Sequence, residues 1–587
     1  MISVVTTEGT MFRSFGWVQD PSNFRNLCNV VAVFDENSSV HQLLRDVVLP
    51  NLVSKEDGLE DLIDTLNRRP LKINYSKLVG FTTIPRSQSR CNAIIQAAVK
   101  GQGRDFIGDW PADNFVRWAH AFGFLKYDYG EDAFEITAAG KRLVAARPGN
   151  IPFPFDQKDE MISKEEEEEL MNAILAYPPA IRILSLLSEE GTHLSKFEIG
   201  RKLGFIGEGG FTSLPQKLLL HALATTEVAG ERSKMRMDWD GSSDKYARMI
   251  GKWLTKLGLL TQKSKYFDVE TPNGIKQEMI GQSFCITAKG YQALLRSNGR
   301  GKYRKIPRNV CFEMLGGKGN DREFLRMRRA FILKVLSDAK KEVKIEEIKN
   351  YLSEMKIDAK EETIRDDVKG LISIGLQIES TDKGYLLKDE LNDFTIPIPK
   401  HIKPTDFEEL KQELREELKT ISHEYLSLID LAYDSKQNRL FEMKVMQLLT
   451  EECGFQGMHL GGSRRPDGVI YTENFSVIID TKAYTKGYNL PISDADEMER
   501  YVHEFCARDL ALNPNGWWEE FPNELKETGF MFVAGHFKGN YQAQIDRISH
   551  VKGCRGVARS VVDLLRLAEC IRNGKKKIES LDDMLYF

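Results

Sequence analysis

Hydrophobic and polar positions repeat along the front two thirds of the chain as one pattern: an amphipathic stretch, a glycine, and a short pair of β-type segments. In the first copy, residues 115–124 lead to FEITAAG at residues 134–140. In the second copy, residues 246–259 lead to FCITAKG at residues 284–290. A helix ended by glycine and followed by a small hairpin is typical of a winged helix.

A third, looser copy has the clearest helical spacing. Residues 345–355 and 360–374 each predict a helix, and Gly375 ends the second one. Residues 377–387 then predict a wing. We therefore predict three tandem winged-helix-like units, which most often bind DNA, although many serve only as protein contacts or spacers.

A change of pattern follows the third unit. Residues 391–405, LNDFTIPIPKHIKPT, contain three prolines and no helical period, which predicts a semi-extended linker. Beyond it, apolar periodicity predicts an α/β domain with a buried strand at residues 530–534. The helices predicted in this domain span residues 406–418, 424–433, 439–449, 493–505, 542–549 and 560–571.

The polar residues best arranged for chemistry lie in GGSRRPDGVIYTENFSVIIDTK, residues 461–482. Two β-type runs flank a polar segment centred near Glu473 and Asn474, which predicts a hairpin. In that register Gly468 faces Ile479, Asp467 faces Asp480, and period-two alternation puts Lys482 on the same face as Asp480.

Two opposed carboxylates repel each other unless a cation lies between them. Mg²⁺ prefers a few carboxylates and keeps water and substrate phosphate in its other positions, which suits phosphodiester hydrolysis. Lys482 would orient or deprotonate the attacking water. The alternative is a solvent-facing hairpin whose charges have no catalytic role.

Basic residues in the first two units are candidates for contacts with bases. Arg86 lies in a polar segment, and Lys245 and Arg248 lie one turn apart on a helix that Ser243 or Asp244 could cap. The alternative is a solvated helix face. The acidic run at residues 165–169 predicts another exposed helix face.

Composition narrows the class of protein. The chain has 587 residues, of which 41% are hydrophobic and 29% charged, and its net charge is −4, so it is a multidomain globular protein without an overall basic charge. Eight scattered cysteines include no Cys-x-x-Cys pair, which argues against structural zinc and against a disulfide framework. No membrane span or leader pattern is evident, so we expect a protein that stays inside the cell.

The whole chain resembles the FokI family of type IIS restriction endonucleases. The resemblance is densest in HLGGSRRPDGVIYT, VIIDTKAYTKGYNLPISDADEMERYV and FVAGHFKGNY, with TSLP and WDGSSDKYARMIG in the front half. It implies a multidomain α/β protein with recognition subdomains, a linker and a PD-(D/E)XK nuclease domain. The implied boundaries are subdomain 1 at residues 1–160, subdomain 2 at 161–303, winged-helix subdomain 3 at 304–389, the linker at 390–405 and the nuclease domain at 406–587.

The resemblance also implies roles for particular residues. The metal-binding aspartates of the family fall on Asp467 and Asp480, with Mg²⁺ as cofactor, and its catalytic lysine falls on Lys482. Its dimerisation pair falls on Asp496 and Arg500, each expected to reach the opposite residue of a second nuclease domain. The alternative for these two is an i,i+4 pair within one helix.

The residues expected to face double-stranded DNA depend on the resemblance more than on pattern. The positions matching the family are Gln19, Arg86, Gln102, Trp110, Lys245 and Arg248. Three positions depart from it: Asp20 and Met237 replace asparagines, and Asp240 replaces a glutamate. GGATG, or a variant of it, is the expected site.

Three hypotheses follow for function. The first is an endonuclease that cuts at a fixed distance from its recognition site and acts as a homodimer on DNA. The second is a DNA-binding or regulatory protein whose nuclease-like domain only dimerises, and the third is a nicking enzyme. The family also implies a bacterial, cytoplasmic protein with a companion DNA methyltransferase.

Overall fold

The computed structural model describes the chain except residues 1, 8–16, 18–22, 83, 86–87, 102–108, 149–161, 209–212, 272–273, 318, 400–402, 463, 523–526 and 587, and except the side chains at 100–101, 109–111, 242 and 399. It contains three successive helical units with small sheets and a C-terminal domain built on a larger sheet.

The first unit is mainly helical and carries a three-stranded sheet of order β2-β4-β3. Its elements are β1 (Ile2–Thr7), α1 (Phe24–Ala32), α2 (Ser39–Leu43), α3 (Leu49–Leu52), α4 (Leu59–Asn67), β2 (Ile73–Asn74), α5 (Tyr75–Val79), α6 (Ile94–Gly101), α7 (Asp109–Ala121), β3 (Leu125–Asp128), β4 (Ala133–Ile136) and α8 (Ala138–Ala145). The predicted helix and hairpin of the first copy are α7 and the β3-β4 pair.

The second unit repeats this arrangement with a much longer hairpin. Its elements are α9 (Lys164–Ala176), α10 (Pro178–Leu186), β5 (Leu194–Ser195), α11 (Lys196–Arg201), α12 (Gln216–Thr225), α13 (Ala229–Ser242), α14 (Lys245–Lys256), β6 (Leu260–Thr271), β7 (Gly274–Ile286) and α15 (Ala288–Ser297). Arg232 and Arg236 of α13 both pair with the buried carboxylate of Glu278 on β7. These ion pairs attach the outer half of the hairpin to a helix.

The third unit matches its prediction closely. Its elements are α16 (Arg322–Ala339), α17 (Ile345–Glu354), α18 (Glu361–Ser373), β8 (Ile378–Ser380) and β9 (Tyr385–Leu387). The predicted linker that follows contains a further strand, β10 (Phe394–Pro399), which pairs in parallel with β1 at the start of the chain. Ile396 on this strand is fully buried, so part of the segment belongs to the recognition core instead of bridging two domains freely.

One sequence-based expectation in this region is wrong. The acidic run at residues 165–169 is not simply an exposed face, because Glu166 is fully buried and accepts hydrogen bonds from both terminal nitrogens of Arg25, at 2.5 and 2.6 Å. Glu166 also closes a capping box with Ser163 at the start of α9. The buried ion pair joins α1 of the first unit to α9 of the second.

The C-terminal domain surrounds a mixed five-stranded sheet of order β11-β12-β13-β14-β15. Its elements are α19 (Asp406–Glu417), α20 (Ser427–Leu431), α21 (Asn438–Gln447), β11 (Gln456–His459), β12 (Gly468–Tyr471), β13 (Phe475–Lys482), α22 (Ile492–Ala507), β14 (Glu527–Ala534), α23 (Tyr541–Lys552), β15 (Arg555–Ser560), α24 (Val561–Arg572) and α25 (Leu581–Leu585). The first three strands are antiparallel, and β13, β14 and β15 run parallel with α22 and α23 as the crossover helices.

Alternating side chains of the central strand β13 face two apolar layers. Val477 and Ile479 belong to the core that α21 and α24 cover, and Ile478 belongs to the core that α22 and α23 cover. A strand buried on both faces has apolar side chains at successive positions, as at Val477, Ile478 and Ile479. The polar residues that end this strand therefore emerge from a rigid part of the domain.

Candidate active site

The predicted hairpin forms with the predicted register. Gly468 on β12 pairs with Ile479 on β13, and Tyr471 pairs with Ser476 across the turn. Asp467 and Asp480 are the next residues beyond the last of these pairs. The two carboxylates therefore lie where β12 begins and β13 ends, at one edge of the buried sheet.

Asp467 is held against β13 by two hydrogen bonds. Its Oδ2 accepts from the backbone N–H of Thr481 at 2.6 Å and from the Thr481 hydroxyl at 2.9 Å. Burial raises the pKa of Asp467 well above its ordinary value, and the charges of Asp480 and Glu442 raise it further, while the bonds from Thr481 oppose the shift.

Asp480 is buried and forms an ion pair with Lys482, with 2.9 Å between Oδ2 and Nζ. Burial raises the pKa of Asp480, and the lysine offsets only part of that effect. Lys482 Nζ is also 3.4 Å from Asp494 Oδ2. Burial lowers the pKa of Lys482, but Asp480 and Asp494 outweigh burial and raise it, so the side chain is held as an ammonium ion.

Four residues at or beside this site were not singled out in the sequence. Asp494 contacts Lys482 and accepts a 2.5 Å hydrogen bond from Tyr488, and that bond and the lysine charge lower its pKa despite partial burial. Glu442 of α21 contributes negative charge at Asp467 and pairs with His459 at 3.1 Å. No local motif marks these residues, because α21, the 483–491 loop and α22 meet only in the fold.

The donor set fits a hard divalent cation. Asp467 and Asp480 supply carboxylate oxygens whose negative charge is poorly compensated, since the pKa of both groups is raised. Mg²⁺ and related ions take oxygen ligands of this kind. The residues therefore suit a metal ion, with Asp467 and Asp480 as its protein ligands.

The predicted dimerisation residues do not pair with each other within the chain. Asp496 pairs with Arg547 of α23 at 2.6 Å, and Arg500 pairs with Glu497 and Glu504 at 3.1 and 3.5 Å. The alternative, an ion pair between Asp496 and Arg500 within one helix, is therefore wrong. Asp496 is exposed on the outer face of α22.

The predicted DNA-facing residues that can be located lie around the α13–α14 corner of the second unit. Met237 is 65% exposed, and Asp240 pairs with Lys196 at 3.6 Å. Arg248 Nη1 donates to the backbone carbonyls of Asp240 and Gly241 at 2.5 and 3.1 Å, so it is drawn back onto the end of α13. Lys245 begins α14 and is partly exposed.

The predicted side-chain cap of α14 is wrong. Asp244 is the capping residue but its side chain makes no capping hydrogen bond, and the Ser243 hydroxyl donates to the Trp239 carbonyl instead. Gln19, Asp20, Arg86 and Gln102 lie outside the described residues, and so does the side chain of Trp110.

Comparison with known proteins identifies the parts of the chain. Four family profiles match, described as the FokI recognition domain subdomain 1 at residues 13–146, recognition domain subdomain 2 at 166–301, the D3 domain at 315–383 and the cleavage domain at 404–586.

Whole-length relatives and solved structures agree with these profiles. The chain is 45% identical over 581 residues to the type II restriction enzyme FokI of Planomicrobium okeanokoites, covering 97% of each protein. It is 32% identical over 576 residues to the type II restriction enzyme StsI of Streptococcus sanguinis, covering 96% of this chain and 93% of the relative. A solved structure of restriction endonuclease FokI superimposes with a TM-score of 0.87 at 44% identity over 97% of this chain and 98% of that one, and a structure of FokI bound to DNA gives the same TM-score and identity over 97% of each chain.

A recognition region joined to a C-terminal cleavage domain defines a type II restriction endonuclease, a site-specific deoxyribonuclease. Its cleavage domain requires a divalent metal ion. Within that class, the chain belongs to the FokI family of type IIS enzymes. Among the described residues, no helix is both long and apolar enough to cross a membrane.

Proposed function

We propose that the protein binds a short asymmetric double-stranded DNA site through its recognition units and hydrolyses both strands at a fixed distance outside that site, with Mg²⁺ as cofactor. The observation that carries this proposal is the placement of Asp467, Asp480 and Lys482 together at one edge of the cleavage-domain sheet. The expected site is GGATG or a variant of it.

Each residue of the site has a distinct role in the proposed reaction. Asp467 and Asp480 hold the cation, and Thr481 keeps Asp467 in position through two hydrogen bonds. When bound, the cation supplies an acidified water and offsets negative charge on the phosphate. Lys482 is held as an ammonium ion by two carboxylates, so it suits orienting the water and contacting a phosphate oxygen better than removing a proton.

The test of this chemistry is sequencing of both strand ends after digestion of a plasmid library with randomised sites in Mg²⁺, beside Asp467→Ala. We expect staggered cuts at a constant distance from one motif with the wild-type protein. We expect none with the variant, which should still bind DNA in a gel-shift assay. Folded, DNA-binding wild-type protein that leaves the library intact would favour the non-cleaving alternative instead.

The DNA sequence at which the enzyme binds tests the residues expected to contact bases. Cuts at a constant offset from GGATG would support the specificity expected from the family, at Gln19, Arg86, Gln102, Trp110, Lys245 and Arg248. Cuts at a constant offset from another sequence would assign the change in specificity to the positions that depart from the family, Asp20, Met237 and Asp240.

We also propose that two cleavage domains associate on DNA through the outer face of α22, since one active site cuts one strand. Two exposed apolar side chains support this surface: Ile492 lies one turn before Asp496 and is 63% exposed, and Val551 lies one turn after Arg547, the partner of Asp496, and is 54% exposed. Exposed apolar side chains among charged ones are typical of a protein interface. In a two-fold contact, Asp496 of each copy would reach Arg500 of the other.

Charge exchange tests this contact. Asp496→Arg and Arg500→Asp should each lose most double-strand cleavage, because like charges would face each other. An equimolar mixture of the two variants should recover it, because both contacts of the mixed dimer then join opposite charges. A mixture no more active than either variant alone would contradict this pairing. Equal amounts of nicked product from the wild type, the variants and the mixture would support the strand-limited alternative.

A companion DNA methyltransferase remains an expectation of the proposed function. A cell that makes a double-strand endonuclease must protect the same site in its own DNA. We expect this chain in the bacterial cytoplasm, where its substrate would be incoming DNA.

A further inference from the structure

A cavity of about 870 Å³ lies between the first unit and the segment that leads into the third, far from the hairpin in sequence. Its lining includes His120 at the end of α7, Tyr129 beyond β3, and Cys311 just before a short turn of helix at Phe312–Leu315. The cavity therefore has one nitrogen and one sulfur donor on its wall.

A third donor completes a cluster at this wall. One ring nitrogen of His120, the thiol of Cys311 and a carboxylate oxygen of Glu313 all lie within 4.8 Å of one another. His120 Nε2 and Glu313 Oε2 are 3.8 Å apart, which is too long for a hydrogen bond. Glu313 is 1% exposed, and its Oε2 has no hydrogen-bond partner within the described part of the chain. His120 offsets the charge of this oxygen only through a long ion pair, so a buried acceptor without a hydrogen bond remains available to a cation.

The surrounding contacts orient two of the three donors toward one point. His120 Nδ1 is 3.3 Å from the carbonyl of Leu125, and a carbonyl can only accept, so Nδ1 carries the hydrogen. Burial lowers the pKa of His120, but Cys311 and Glu313 outweigh burial and raise it to about 10, so a bound ion would displace the proton from Nε2. Without that proton, the His120 ligand atom lies within 4.8 Å of the Cys311 thiol and a Glu313 oxygen. The Tyr129 hydroxyl donates to Glu313 Oε1 at 2.8 Å and leaves Oε2 available. Metal-binding histidines and carboxylates in proteins are held by such outer hydrogen bonds.

We propose that His120, Cys311 and Glu313 bind a divalent transition-metal ion of the Zn²⁺ class. Nitrogen, thiolate and carboxylate donors suit Zn²⁺, whereas Mg²⁺ selects oxygen alone, so this site and the catalytic site take different metals. Tetrahedral Zn²⁺ places its ligand atoms roughly 3.4 Å apart, so distances within the cluster, which are at most 4.8 Å, would shorten by about 1.4 Å or less. The fourth position opens to the cavity, where water can occupy it.

The proposed metal joins parts of the chain that the whole second unit separates in sequence. His120 belongs to the first unit, and Cys311 and Glu313 precede α16 of the third. Because binding a metal in the folded state only adds to the free energy of unfolding, the ion would act as a structural clip between these units. The spacing of cysteines along the sequence does not reveal such a site, because its ligands are single residues from distant segments.

Cobalt tests the site, because a Co²⁺–thiolate bond absorbs in the near ultraviolet and an oxygen-only site does not. Full-length protein is freed of metal with a chelator and titrated with Co²⁺. We expect thiolate-to-cobalt absorption that saturates at one Co²⁺ per chain and disappears when Zn²⁺ is added. Asp467→Ala should show the same absorption, because the catalytic carboxylates do not contribute to it.

Variants assign the ligands. Cys311→Ser should abolish the absorption, and His120→Ala and Glu313→Gln should weaken Co²⁺ binding. Cys285→Ser removes a half-buried thiol elsewhere and should leave the absorption unchanged. Tyr129→Phe, which alters only a positioning residue, should weaken metal binding about tenfold to a hundredfold.

Thermal unfolding separates ligand loss from misfolding. Zn²⁺ should raise the melting temperature of the wild type, Asp467→Ala and Cys285→Ser, but not that of Cys311→Ser. If Cys311→Ser does not fold, Glu313→Gln and Tyr129→Phe decide the matter through their Co²⁺ affinities. Folded wild-type protein without thiolate absorption, or absorption that persists in Cys311→Ser, would overturn the proposal.

Discussion

The two carboxylates proposed for the active site lie side by side at a cost in stability. Asp467 and Asp480 are both desolvated, and the pKa of each is raised above its ordinary value. A carboxyl group whose pKa is higher in the folded than in the unfolded protein binds more protons when folded, so the folded state loses stability as the pH rises toward neutrality. A divalent cation held by both carboxylates would offset this penalty.

Metal binding should therefore depend on pH. Since the carboxyl groups must lose their protons to bind a cation, the Mg²⁺ concentration that gives half-maximal cleavage should rise as the pH falls from neutrality through the raised pKa values. The measurement is cleavage rate against Mg²⁺ concentration at a series of pH values.

A stability measurement gives the matching control. Without metal, Asp467→Asn should raise the melting temperature at neutral pH, because it removes the repulsion from Asp480, and the gain should shrink on acidification. With Mg²⁺ present the order should reverse, since only the wild type binds the ion. A half-maximal Mg²⁺ concentration that stays constant with pH would contradict this account of the site.

At the scale of single elements, the repeated I-T-A-x-G segment has one physical explanation in both copies. Thr137 and Thr287 cap α8 and α15 by accepting hydrogen bonds from the backbone N–H groups of Gly140 and Gly290. A side chain at either glycine would overlap the carbonyl oxygen of Phe124 or Leu259, each just before the first strand of its hairpin. The repeat therefore encodes a cap and a close contact between backbones.

Gly290→Ala should lower the free energy of unfolding by about 1 to 3 kcal/mol, because the added methyl group must displace backbone. Denaturant unfolding monitored by circular dichroism measures the change. Gly230→Ala in α13 is the matched control, because no atom lies within 4 Å of the added methyl group there. It should be neutral or stabilise by about 0.5 to 1 kcal/mol. Equal effects at both positions would mean that the close contact is not the cause.

At the scale of the whole molecule, the cleavage domain packs against the second and third recognition units. Arg201 of the second unit pairs with Glu424 and Glu451 at 2.7 and 2.8 Å, and Arg328 of the third pairs with Glu408 at 2.9 Å. Trp239 of α13, close to the DNA-facing candidates, shares a hydrophobic core with the cleavage domain. Contacts at α13 are therefore in a position to influence how firmly the cleavage domain is held.

Arg201→Ala should loosen this packing and increase cleavage of DNA that lacks the recognition site, because it removes two ion pairs between the second unit and the cleavage domain. A plasmid without the site is the substrate, and the fraction cut over time is the measurement. Arg566, which is as exposed as Arg201, pairs with Glu417 inside the cleavage domain, and Arg566→Ala should leave off-site cleavage unchanged. Equal off-site cleavage by both variants would show that these contacts do not restrain the nuclease.

The sequence by itself determined the features that depend on local pattern. Periodicity located the three winged-helix units, the register of the active-site hairpin, and the placement of Asp480 and Lys482 on one face. These features follow from short-range rules, because helix and strand periods and turn residues act over a few positions. The resemblance to the FokI family then added the class of enzyme and the expected roles of individual residues.

Tertiary structure alone decided the contacts between distant segments. Glu166, in an acidic run that the sequence predicts to be exposed, is buried against Arg25. The strand in the predicted linker pairs with the start of the chain, and Asp496 pairs with Arg547. Tertiary structure also assembled His120, Cys311 and Glu313 from two units. Partners far apart in sequence leave no periodic signal, because their proximity depends on how whole elements pack.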